Sequence, residues 1–271
     1  MNFLGPFRNE IMSARHTPTE QFTEKELDTF RNDGFVICRG LMPEEYLITM
    51  KAVAERDAAG RLGDIEYEAD VCYPGAPESL EAEGGRTIRR LRQAFSRDPV
   101  FSRLVKEPFL LKRLQQVLGG RVVMPLAHHN CIMTKSPQFS SDSGWHQDIR
   151  YWAFEKPNLV NAWIALTSES LQNGCLKLLP GTQQAEVEPH RLNDQLFLRT
   201  ELQVNHSWLN SAIDAELSPG DVLFFHACCF HSATRNYSDQ TKCSAVFTFR
   251  NLDNPPLDGS RSAASPELLL S

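Results

Sequence analysis

No stretch of this sequence approaches the ~18 consecutive apolar residues of a membrane-crossing helix, so no transmembrane span is expected. The opening residues, MNFLGPFRNEIMSARHTPTEQ, lack the apolar core of a secretory signal, and the expectation is an intracellular, cytoplasmic protein. A basic excess is also missing: 28 Lys and Arg stand against 34 Asp and Glu, a net charge of −6. That balance argues against a broad nucleic-acid-binding face and leaves room for a local basic pocket that takes an anionic small molecule. The seven cysteines (Cys38, Cys72, Cys131, Cys175, Cys228, Cys229 and Cys243) are odd in number, irregular in spacing and contain no CxxC pair. A disulfide framework and a structural zinc site are therefore not expected, and these thiols read as small apolar packing residues. Internal repeats are absent. What remains, 41% hydrophobic and 23% charged residues over 271 positions, is an ordinary globular balance in a chain long enough for one sizeable core.

The two halves of the chain differ in pattern. Residues 1–21 carry little periodicity and read as a flexible arm. Thr23 and Glu26 then form a capping-box signature for a short helix that stops near Gly34. FVIC (35–38) reads as a buried strand, and MPEEYLITMKAVAERDAAG as a second helix with Pro43 near its start. Residues 61–85 are polar and read as a covering surface loop. TIRRLRQAF suggests a strand, and two short helices broken near Pro108 follow. From about Val122, short β-prone segments come in series, punctuated by turn residues: VVMPLAHHNCIMTK, WHQDIRYW, LVNAWIALT, CLKLLPG, AELSPGDVLFFHACCF and KCSAVFTFRN. Such a series without interleaved helices predicts a β-sandwich or barrel and argues against a doubly wound α/β sheet. The expected fold is thus mainly β with flanking helices. One domain spans 22–253 with a loop insertion at 184–215, and 254–271 form a flexible tail.

Two stretches carry candidate chemistry. In WHQDIRYW, His146 and Asp148 are two apart, which on a strand puts both on one face. A histidine and a carboxylate so placed need one more histidine to form a two-histidine, one-carboxylate triad, a set suited to Fe(II) that leaves coordination positions open. FFHACCFHSATRN supplies His226 and His231. Five residues apart, they do not share a face of a regular strand, and geometry alone does not choose between them.

The chain from about Thr23 to Phe249 resembles the phytanoyl-CoA dioxygenase family of Fe(II)- and 2-oxoglutarate-dependent oxygenases. The resemblance rests on LDTFRNDGFVICRG, WHQDIRYW, NAWIALTSESLQNGCLKLLPGT and LSPGDVLFFHACCFHSATRNYS, in that order. It implies a double-stranded β-helix, a cupin-like jelly roll. It also implies Fe(II) held by His146, Asp148 and His231, with 2-oxoglutarate and O2 as cosubstrates. His231, followed by a small-residue turn and Asn236, matches the family's distal ligand, which leaves His226 as a packed histidine. The family places an arginine eleven residues beyond that ligand to pair the far carboxylate of 2-oxoglutarate. Here 231 + 11 = 242 is lysine, so Lys242 is assigned that role, with Arg235 and Arg250 as fallbacks. Trp163 and Cys131 match positions lining the cosubstrate, Arg90 or Arg92 matches a basic pocket position, and Tyr151 is placed on the substrate side. Because Asp148 retains the carboxylate, hydroxylation is expected rather than halogenation. The alternatives are a metal- or small-molecule-binding protein without turnover, or an oxygenase ending in cyclisation, desaturation or epimerisation. His190, Arg191 and Arg199 read as solvated loop charges. The expected partner is a small-molecule substrate.

Overall fold

Helix α1 (Glu24–Asp33) starts at the expected cap: the Thr23 hydroxyl accepts from the Glu26 amide at 3.3 Å, and the Glu26 carboxylate accepts from the Thr23 amide at 2.7 Å. It stops at Gly34, whose φ of +83° is left-handed and where a Cβ would collide with the Gln183 side chain. In this computed structural model, residues 19–71 and 73–271 are described. The arm expected over 1–21 lies outside them except for its last three residues, where Thr19 is held by Arg113.

Strand β1 (Phe35–Cys38) and helix α2 (Glu44–Gly60) follow, then β2 (Ile65–Tyr67) and β3 (Ile88–Arg92). Helices α3 (Ala94–Arg97), α4 (Pro99–Leu104) and α5 (Pro108–Leu118) come next; α4 and α5 each open on a proline, which needs no amide partner there. The remaining elements are β4 (Val122–Pro125), β5 (Asn130–Lys135), β6 (Ser143–His146), β7 (Leu159–Ala165), β8 (Leu176–Leu178), α6 (Gln203–Leu209), β9 (Ile213–Ala215), β10 (Val222–His226), β11 (His231–Ala233), β12 (Lys242–Asn251) and β13 (Glu267–Leu269).

The strands form two antiparallel sheets. The larger runs β1-β10-β7-β12-β5-β3-β2, with β4 also paired to β12 and β13 to β4, and the smaller runs β6-β11-β8-β9. Alternation along β7 shows how the layers are divided. Ala162 and Ile164 join Phe224, Phe247 and the α1, α2 and α5 residues in the core on one face. Trp163 and Ala165 join Leu223, Phe225 and Val246 against Leu176 and Leu178 of the smaller sheet on the other. Both faces of β7 are buried, which is why it reads as a near-continuous apolar run. The result is the expected jelly roll with helices on one face.

Several boundaries differ from expectation. WHQDIRYW is not one strand: β6 ends at His146, and a 3-10 turn covers Asp148–Tyr151. The 61–85 loop contributes β2 and the fully buried Glu68. The 184–215 insertion contains α6, and its last residues are β9, an edge of the smaller sheet. The tail expected to be loose over 254–271 carries β13, because Leu268 and Leu270 pack on the core and Glu267 pairs with the buried Arg250.

Candidate metal centre and active site

His146 closes β6 and His231 opens β11, and in the antiparallel pairing they are directly opposite one another. Opposite residues share a face, so both rings turn into the space between the sheets, with centroids 4.2 Å apart. The Nδ1 of His146 lies 2.7 Å from the Gly144 carbonyl, and that of His231 lies 3.1 Å from the Cys229 carbonyl. Donation to these carbonyls places the proton on Nδ1 and leaves each Nε2 lone pair free for a metal.

Asp148 reaches the same point from its turn, which the Ile149 amide ties to the Ala227 carbonyl at 3.2 Å. Its Oδ1 is 3.9 Å from His146 Nε2 and 3.7 Å from His231 Nε2. Its Oδ2 accepts from Asn161 Nδ2 at 2.8 Å, and Asn161 Oδ1 accepts from the Thr248 hydroxyl at 2.6 Å. One carboxylate oxygen is therefore fixed by the larger sheet and the other is presented to the histidines. The three donor atoms lie within 4.8 Å of one another, and among the described residues no other His, Cys, Asp or Glu group is so disposed.

The charge states agree with a ligand set. Burial lowers the pKa of both His146 and His231, outweighing the Asp148 carboxylate, which acts to raise them, and so favours the neutral rings. Burial acts to raise the Asp148 pKa, but the charged His129 that donates to it holds it well below the carboxylate range. His129 donates from Nε2 to Asp148 Oδ1 at 3.0 Å; burial lowers its pKa, yet the carboxylate drives it up to about 9.

Behind the triad is a pocket lined by Trp163, Phe225, Lys135, Lys242 and Arg89. Lys242, at the start of β12, donates to Glu169 Oε2 at 2.9 Å. Glu169 also accepts from Trp163 Nε1 at 2.7 Å and from the Ser244 hydroxyl at 2.6 Å, so Lys242 faces the pocket already neutralised. Directly across the ladder stands Lys135. Its Nζ donates to the Ser141 carbonyl at 2.7 Å, and among the described residues no carboxylate lies within ion-pair distance of it. Burial, with Lys242 and Arg89 nearby, lowers its pKa to about 7. Arg89 is matched by Glu66 and Glu68. The uncompensated charge at the closed end is therefore that of Lys135.

The other sequence candidates are distributed as follows. Arg90 lines both this pocket and an outer cavity, while Arg92, Cys131 and Tyr151 line only the outer one. Arg235 is paired with Asp142, and Arg250 with Glu267, both away from the pocket. His226 accepts from the Cys228 amide at 3.0 Å and lines neither space. Arg191 is buried against Asn205 and Trp208 rather than solvated, and Arg199 pairs with Glu201. Phe197 of the insertion packs on His146, and Tyr73 of the 61–85 loop packs on Phe197. Sequence reasoning missed Asn161, His129, Glu169 and Lys135. Lys135 and Asn161 left a signal, since each lies an even number of residues from a candidate on its own strand, Cys131 on β5 and Trp163 on β7, and so shares its face.

A two-histidine, one-carboxylate centre between the sheets of a jelly roll, with a buried cation behind it, defines a non-haem iron oxygenase. The phytanoyl-CoA dioxygenase (PhyH) family model matches residues 30–244, and the chain belongs to that family. It is 27% identical over 206 residues to the L-proline trans-4-hydroxylase of Streptomyces griseoviridis, covering 66% of this chain and 74% of that one. The fold is shared with EctD from S. alaskensis, whose structure holds 2-oxoglutarate and 5-hydroxyectoine (TM-score 0.71, 16% identity, 87% of this chain and 78% of that one). It is also shared with the epimerase SnoN, whose structure holds Fe3+, alpha ketoglutarate and nogalamycin RO (TM-score 0.68, 16% identity, 86% and 85%).

Proposed function

We propose that this protein hydroxylates a C–H bond of a small molecule, using Fe(II), 2-oxoglutarate and O2 and releasing succinate and CO2. The observation that carries the proposal is the triad itself: two imidazoles whose Nδ1 atoms face backbone carbonyls and one oriented carboxylate, with donor atoms within 4.8 Å of one another. That donor set suits Fe(II). The pocket behind it suits the cosubstrate, because the Lys135 charge awaits an anion at the closed end.

His146, Asp148 and His231 would hold the iron, which supplies oxygen activation coupled to oxidative decarboxylation. Asn161 holds the Asp148 carboxylate in its ligating orientation. Lys135 and Lys242 receive the far carboxylate, a role that Lys242 alone does not fill because Glu169 offsets its charge. Trp163 walls the pocket and, through its N–H, keeps Glu169 turned toward Lys242. Phe225 keeps water from the apolar side. Arg90 stands where this pocket meets the outer cavity, and Arg92 and Cys131 border the substrate side.

The test is succinate formation from 2-oxoglutarate by purified protein with Fe(II) and oxygen, together with a product heavier by one oxygen atom. A His231→Ala variant is expected to lose at least ~100-fold in rate. Equal rates in wild type and variant would remove the assignment.

A further inference from the structure

On the open side of the triad lies a cavity of about 240 Å³ whose wall carries Arg90, Arg92, Arg150 and Arg261 against two carboxylates, Glu66 and Asp148. Both carboxylates are committed. Asp148 belongs to the metal set, and Glu66 lies 3.3 Å from Arg89 and 3.4 Å from Arg90. Arg92 has Asp64 at 3.6 Å. Arg261 has no carboxylate within ion-pair distance among the described residues, and neither does Arg150, whose environment is the more telling. Its Nη1 is buried without a hydrogen-bond partner, and its Nη2 reaches only the Tyr73 hydroxyl, at 3.4 Å. What holds it is stacking, with the guanidinium carbon 4.1 Å from the Phe197 ring centre and 4.6 Å from that of Tyr151. Stacking fixes the plane of the fork while leaving its edge donors unused. A second unused group lines the same cavity: His128 Nε2 is buried without a partner, its ring stacked 4.5 Å from Trp152.

We infer that the substrate is a molecule of about amino-acid size carrying a compact oxyanion, which Arg150 grips through paired N–H···O bonds beside the triad. The inference rests on the oxygenase reading above. A planar fork matches carboxylate and phosphate oxygens alike. The cavity volume is below the ~300 Å³ at which drug-sized ligands are usually housed, which fits a molecule of about amino-acid size. In a chain of net charge −6, an arginine left unmatched beside the metal site marks where the ligand must bring the missing charge.

The experiment has a first arm that tests the oxygenase reading alone: 2-oxoglutarate is added anaerobically to the Fe(II) protein and the visible charge-transfer band is read. Amino-acid-sized carboxylic acids, their primary amides and phosphate monoesters of similar size are then added, and both the shift of that band and aerobic succinate formation are followed. At least one oxyanion is expected to shift the band and stimulate succinate formation while its neutral amide does neither. Stimulation by the acids or by the phosphate esters tells which oxyanion is bound. Arg150→Gln should raise the half-effect concentration about 10- to 100-fold, and leave 2-oxoglutarate affinity unchanged, which also reports an intact fold. Equal responses to acids and amides, an unchanged half-effect concentration in Arg150→Gln, or no response to any oxyanion while the band forms, overturns the inference. If the band itself fails to form, the oxygenase reading falls and takes this inference with it.

Discussion

Lys135 and Lys242 face each other across the β5–β12 ladder, but their charges are not equivalent. Replacing Lys242 by Met strands the buried Glu169 carboxylate, so that variant should lose about 3–5 kcal/mol of stability, read by urea unfolding, along with cosubstrate affinity. Lys135→Met removes an unmatched charge and should leave the protein at least as stable as wild type. Its 2-oxoglutarate Kd should rise about 10- to 100-fold, while its Kd for 2-oxovalerate, which lacks the far carboxylate, stays unchanged. The depressed pKa of Lys135 adds a pH signature. From about 7 up to the ordinary lysine value of 10.5, the unfolded chain holds the proton that the folded one has lost. The ligand-free protein therefore gains stability as pH rises through that window, and below 7 the full cost of the buried charge is present. Cosubstrate affinity runs the other way, weakening as pH rises above about 7, and anaerobic titrations at several pH values should show the slope in wild type and none in Lys135→Met. Asn161→Ala should weaken iron binding about 10- to 100-fold by freeing the Asp148 carboxylate. His146, Asp148 and His231 were legible in the sequence because their neighbours form recognisable motifs. The roles of Asn161, His129, Lys135 and Glu169 were not, because they depend on side-chain contacts made between different elements of the fold.

At the scale of elements, the helices were legible through their caps and prolines, and most strands through runs of β-branched and aromatic residues. The misreadings have physical causes. Asp148 reads as strand by alternation, but the 3-10 turn, tied to Ala227, brings its carboxylate to the histidines by another route. Residues 254–271 look like a tail because proline and serine are scattered through them without periodicity, while the pairing that fixes β13 depends on an edge of β4 far upstream. Truncation after Ser265 should accordingly lower Tm and leave Arg250 without Glu267, a result that a loose tail would not give. Thr23→Ala should cost about 1 kcal/mol through loss of the α1 cap, measurable as a shift in urea midpoint with unchanged slope.

For the whole molecule, the asymmetry between layers matters. The helices buttress one face of the larger sheet, whereas the smaller sheet of four strands leans on the other. Loading with Mn(II) and N-oxalylglycine, an inert pair for this centre, should stabilise the fold by about 3 kcal/mol at a hundredfold excess over Kd, seen as a Tm increase of several degrees. Chelation also has a topological effect. The two histidines are 231 − 146 = 85 residues apart in the chain yet adjacent in space, so an ion held between them closes a long loop much as a covalent cross-link would. The clasp falls on the β6–β11 seam of the smaller sheet. Amide hydrogen exchange along residues 231–233 should therefore slow far more on metal loading than exchange along β7. The ion that enables the chemistry would then also set how often that wall of the barrel breathes.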